Sequence, residues 1–241
     1  MMKKILLIVF VALTYSYAGF TQSTFSGWFA SFNTVKLNSK FSLHTDFAAR
    51  STHQWEHFGT YIIRPGVNYH INKKMIATVG YAYVAHRRTI DGVNGYTPEH
   101  RIWEQFIFNQ PVAFTTLQHR LRLEQRFIAT PQLKNGEITS EDHVYANRLR
   151  YFFRDVIPFS GQKQFAKGMF ASVQNEIFLN LGDKSNVNGK FFDQNRAYVS
   201  IGYRFVKSFD AEIGYMNQYV SGKGGSYVNN NILQLATYLR L

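Results

Sequence analysis

The chain has no cysteine, only five prolines in 241 residues, and 15 acidic side chains against 27 lysines and arginines. The missing thiol excludes disulfide scaffolds, cysteine nucleophiles and cysteine-based zinc sites. An apolar fraction of 45% excludes an intrinsically disordered chain. After the amino terminus, no apolar run reaches the roughly 20 residues that a membrane-spanning helix needs. What is abundant is aromatic: 22 Phe, 15 Tyr and 3 Trp, or 17%. A formal charge of +12 beside that aromatic content suits either nucleic acid or an interface with anionic lipid.

The amino terminus chooses between them. Lys3 and Lys4 form a short positive region, residues 5–13 are unbroken apolar sequence, and Ser16 and Ala18 put small residues at −3 and −1 of a cleavage site. This is the pattern of a secretory signal over residues 1–18. Residues 19–241 are expected to form one exported domain, and an exported chain is not expected to bind DNA or RNA.

Past the signal the hydrophobic period is two, which is the signature of strands with a different environment on each face. Phe41, Leu43, Phe47 and Ala49 alternate with Ser42, His44, Asp46 and Arg50. Tyr61, Ile63, Val67 and Tyr69 alternate with Ile62, Arg64, Asn68 and His70. Leu121, Leu123 and Phe127 alternate with Arg120, Arg122, Glu124 and Arg126. The theme returns over His143–Arg154, Gly168–Asn180, Gln194–Phe205, Asp210–Val220 and the carboxyl terminus. Thr24–Val35 and Arg101–Gln110 read as strands with poorer alternation, and the facing of Glu104 stays open. No segment after residue 18 has a helical period.

These segments number eleven and most run about 10 to 13 residues, the length a tilted strand needs to cross a bilayer. Soluble strands average about 5 to 6. Short turns near Lys36–Lys40, Asn72–Lys74, Gln110–Thr115 and Val206–Phe209 alternate with long polar connections at Arg88–Glu99, Thr130–Asp142, Leu181–Asp193 and Ser221–Asn229. The expected fold is an all-β, antiparallel transmembrane β-barrel of 10–12 strands in a Gram-negative outer membrane. Bacterial single-chain barrels have even counts, so an odd total is a conflict for the structure to resolve. Asp155–Lys167 is too long for a short-turn position and is expected to pack under the barrel.

The stretches His119–Phe127 and Asn147–Tyr151, the pairs Asn175-Glu176 and Asn195-Arg196, and then Gly202-Tyr203 and Gly214-Tyr215-Met216 carry a resemblance. In that order they resemble an uncharacterised family of Gram-negative outer-membrane barrel proteins, a domain of unknown function. The resemblance implies the barrel and supplies no catalytic residues.

If apolar residues face lipid, then Arg120, Arg122, Glu124, Arg126, Arg148, Arg150, Glu176, Arg196, Arg204 and Glu212 face inward on five consecutive strands. Three functions follow. The first is a structural or surface-binding barrel filled by an Arg/Glu network. The second is a small anion-selective pore, because arginine dominates the set. The third is a lipid-acting enzyme, which would need a serine beside His119 that no motif supplies. The histidines lack metal-ligand spacing, so no metal or cofactor is expected. Gln125, Asn147, Asn175, Asn195 and Asn217 interrupt the lipid-facing set toward the outer ends of their strands and are expected to meet lipopolysaccharide. Expected partners are therefore outer-membrane lipid, lipopolysaccharide and the barrel-assembly machinery.

Overall fold

The computed structural model describes residues 22–161 and 165–241. The signal expected at 1–18 lies outside the described residues. Thirteen strands follow in chain order: β1 (Gln22–Lys36), β2 (Phe41–Ser51), β3 (Phe58–His70), β4 (Met75–Ile90), β5 (Val93–Val112), β6 (Thr115–Ala129), β7 (Gln132–Lys134), β8 (Glu137–Thr139), β9 (His143–Pro158), β10 (Gly168–Leu181), β11 (Phe192–Val206), β12 (Phe209–Ser221) and β13 (Tyr227–Arg240). Eleven of them close into one barrel, and β7 and β8 form a separate small hairpin. A 3-10 turn at His53–Trp55 joins β2 to β3.

The odd strand count is real and has a geometric consequence. An up-and-down sheet with eleven members returns to its start with both edge strands running the same way. Accordingly β1 pairs with β13 in parallel, from Gln22 opposite Val228 to Thr34 opposite Arg240, and the other pairings are antiparallel. The expected wholly antiparallel barrel is corrected at this one seam. Lys36 N–H donates to Leu241 O, and Leu241 N–H to Thr34 O at 2.8 Å, which finishes the seam at its lower end.

One end of the barrel carries short turns built the same way twice. Asn38 Oδ1 accepts from the amides of Lys40 and Phe41, and Asn72 Oδ1 from those of Lys74 and Met75. Asparagine makes such turns because its side chain mimics a backbone acceptor. The other end carries the longer connections, with one correction. The long loop expected over Arg88–Glu99 is absent. Strands β4 and β5 run on to a two-residue turn at Asp91-Gly92, both with positive φ, so this hairpin stands beyond its neighbours. Aspartate–glycine suits the turn that matches strand twist. The β5–β6 turn likewise tightens to Ala113-Phe114.

The alternation read from sequence is the alternation of the wall. Ile63, Val79, Val199, Ile201 and Ile213 are each more than half exposed on the outside. Inside, the buried residues are mainly polar or charged, with an apolar cluster of Tyr198, Met216 and Ile232 and Trp28 against it. The protein is inverted relative to a water-soluble barrel.

Candidate functional site: the charged lumen

The register brings the inward charges together. Arg122 lies opposite Arg150 and Glu124 opposite Arg148 across β6 and β9, while Glu176 lies opposite Arg196 across β10 and β11. Glu124 Oε2 accepts from Arg148 Nε at 3.0 Å and Nη2 at 2.7 Å, and its Oε1 from Arg150 Nη1 at 2.6 Å. Glu176 Oε1 accepts from Arg120 Nη2 at 2.7 Å and from Arg150 Nη2 at 2.6 Å. Arg196 Nη1 approaches the other Glu176 oxygen only to 4.0 Å. Arg154 forks onto Glu212 at 2.6 and 3.1 Å, and Tyr238 OH donates to the same carboxylate. Arg204 forks onto Asp210, and Arg126 donates to Glu99 at 2.6 Å. Every one of the ten charges expected inside is there.

The network is larger than that set. Asp46 on β2 pairs with Arg64 on β3 at 2.7 Å, and Glu99 on β5 with Arg101 at 2.7 Å. Asp46, Arg64 and Arg154 stood on the polar faces of their strands, so alternation could have named them. Glu99 lay in the stretch expected to be loop, and Arg101 in a strand whose pattern was poor. Their burial follows from the long β4–β5 hairpin.

Aromatic faces carry the arginines. Arg122 lies 4.5 Å from the Trp103 ring centroid, Arg120 4.2 Å from Phe152, and Arg148, Arg150 and Arg196 lie 5.1, 4.6 and 4.7 Å from Phe178. Trp28 takes two, Arg50 at 4.1 Å and Arg196 at 5.1 Å. A guanidinium over a ring keeps its edge free for hydrogen bonds. Trp103 finds its place because Gly66 and Gly80, opposite each other on β3 and β4, leave no Cβ beneath it.

Three chambers follow one another along the axis. The chamber at the loop end has a volume of about 310 Å³, the central one about 230 Å³ and the one at the short-turn end about 530 Å³. Arg50, Arg64, Arg150 and Arg196 line both of the first two, and Gln118, Arg154 and Tyr238 line both of the last two. Side chains, rather than backbone, separate them. Phe165, from the expected packing segment, stands against Phe170 and gives its carbonyl to Arg204 at the short-turn mouth.

The inward charge does not balance. Among the described residues, twelve arginines face the lumen (50, 64, 101, 120, 122, 126, 148, 150, 154, 196, 204 and 240). Seven carboxylates do so: Asp46, Glu99, Glu124, Glu176, Asp193, Asp210 and Glu212. Arg50 and Arg122 have no carboxylate within ion-pair distance among the described residues. Arg122 instead donates Nε and Nη2 to Gln105 Oε1.

The outward polar residues form two groups. Asn175 and Asn195 exchange hydrogen bonds at 3.1 and 2.9 Å, and Asn217 donates to Asn229 at 2.7 Å. On the other side Gln125 donates to Glu104 at 3.1 Å, and Tyr145 to Asn147 at 2.7 Å. Glu104 therefore faces outward. Gln125, Asn147, Asn195 and Asn217 lie toward the loop ends of their strands, whereas Asn175, expected with them, is in the middle of β10. His119 is also on the outer wall, where its Nδ1 and Tyr151 OH share a 2.8 Å hydrogen bond. Among the described residues no group of three or more His, Asp or Glu is placed to hold a metal ion.

The barrel is similar to a solved structure of the NanC porin in a rhombohedral crystal form. The TM-score is 0.51 with 10% identity, covering 90% of this chain and 98% of that one. Identity that low speaks for the fold alone. No curated protein matches the chain in sequence. The sequence does match a family described as "Protein of unknown function (DUF2490)" over residues 25–229. That span covers most of the chain and the bulk of the barrel, and the chain belongs to this family.

Proposed function

We propose that the protein is an outer-membrane barrel of a Gram-negative envelope whose narrow lumen admits small anions. The carrying observation is the row of three chambers divided only by side chains, with twelve arginines against seven carboxylates along it. A ring of arginine lowers the barrier for anions and raises it for cations. Eleven strands make a bore narrower than the 16–18-stranded porins, so large solutes are excluded. The apolar wall and strands of 11 to 20 residues suit a bilayer.

The short-turn end faces the periplasm in this reading, and the loop end faces outward. The partners are then lipopolysaccharide around the outer rim and the assembly machinery that inserts barrels. The test is reconstitution. Purified protein should shift in gel mobility on heating, fractionate with outer membranes, and give small discrete conductance steps in planar bilayers.

A second reading, a closed barrel acting through its surface, is favoured by how tightly the charges pack: Arg122 is 1% and Glu124 0% exposed. It predicts a folded, membrane-inserted protein with no conductance steps.

A further inference from the structure

The central chamber contains more guanidinium than its carboxylates can use. Glu176 is shared between Arg120 and Arg150, with Arg196 at the edge of its reach. Asp46 is committed to Arg64 and His44. Arg50 is left with the face of Trp28 and no acid, and its buried Nε has no protein partner. The Nε groups of Arg64 and Arg120, which line the same chamber, are likewise unpartnered and buried. Arginine cannot relieve this by losing its proton. Buried unpaired charge is costly, so the arrangement persists only if something negative compensates it.

From this we infer that the central chamber is a binding site for a small oxyanion, a carboxylate or phosphate, seated between Arg50 and Arg196 and reached by the Nε edges of Arg64 and Arg120. Three observations fix the class. Arg50 and Arg196 lie within 4.1 and 5.1 Å of one indole although they come from β2 and β11, well separated around the barrel. They therefore meet in the lumen rather than side by side on a wall. Guanidinium presents a planar fork that matches a carboxylate or phosphate with two parallel bonds, which a halide cannot accept. At about 230 Å³, the chamber takes an anion of a few heavy atoms and excludes a polymer. Chambers of about 310 and 530 Å³ on either side give it two approaches. The site rests on the reading of the lumen as open to small anions and adds to it a resting point.

The test is isothermal titration of the mature barrel, folded in detergent at fixed sodium chloride, with inorganic phosphate and with succinate. The expected result is saturable one-site binding of at least one of them. Affinity should fall tenfold or more in Arg50→Gln and in Arg196→Gln, and should stay unchanged in Arg88→Gln on the exposed hairpin. Heat-modifiable mobility identifies which variants are folded. If Arg50→Gln does not fold, Arg50→Lys keeps the charge, loses the fork, and should still bind several-fold more weakly. Absence of saturable heat with both anions in the folded wild type overturns the site, as does undiminished binding in the folded Arg50 and Arg196 variants. Conductance without saturable binding removes the site and leaves the pore. Saturable binding without conductance removes the passage and leaves the site.

Discussion

Trp103 covers Gly80 so closely that a Cβ on residue 80 would stand 2.4 Å from its Cζ2 and 2.5 Å from Pro65 O. The indole is itself wholly buried and carries Arg122 on its face. Gly80→Ala is therefore expected to destabilise the barrel by about 1–3 kcal/mol through overpacking. Trp103→Leu in the same chain should recover part of that loss. Urea unfolding of the two single variants and the double variant in lipid vesicles measures the coupling.

Glu124 is fully buried and shared by two arginines through direct hydrogen bonds. Glu124→Gln leaves Arg148 and Arg150 short of a buried counter-charge and should cost about 3–5 kcal/mol. Arg50→Gln should do the reverse in anion-free buffer. It removes a buried charge with no acid beside it, so its unfolding midpoint should equal or exceed that of wild type. Opposite signs for two lumen charges would separate an unbalanced network from a uniformly structural one.

The β4–β5 hairpin gives the orientation a direct check. With the loop end outward, Arg87 and Arg88 stand on the cell surface, while Lys73 and Lys74 lie in a periplasmic turn. Trypsin added to intact cells should cut at the first pair and spare the second, and mass spectrometry of the released peptides reads the result.

Much of this architecture was legible in the sequence. The period of two set the facing of the clearly alternating strands, because a strand in a barrel faces one medium on each side. It therefore placed Arg120 through Glu212 inside without any structure. It failed where strands carry polar residues on both faces. Residues 88–99 look like a loop, yet cross-strand pairing of Arg88 with Gly95 and of Val84 with Glu99 keeps them extended. That hid Glu99. Trp28 and Trp103 were not legible as lumen residues either, since an aromatic face that supports a guanidinium looks in sequence like an aromatic face for lipid. The parallel seam follows from an odd strand count and has no local signal.

The outward amides at Gln125, Asn147, Asn175, Asn195 and Asn217 are expected to meet lipopolysaccharide headgroups, with Asn175 deepest. Replacing all five with Leu or Val should lower the lipopolysaccharide that co-purifies with the barrel, while heat-modifiable mobility stays intact. Unchanged co-purification would leave these residues as ordinary polarity at a membrane interface, where such substitutions are mild.

The central claim is that arginine excess makes the lumen favour anions. Reversal potential across a planar bilayer under a potassium chloride gradient tests it most directly. The account predicts a potential of the sign set by chloride, moving toward zero when Arg50, Arg122 and Arg196 are replaced together by glutamine. A potential set by potassium, or a folded and inserted barrel that passes no current at all, would contradict it.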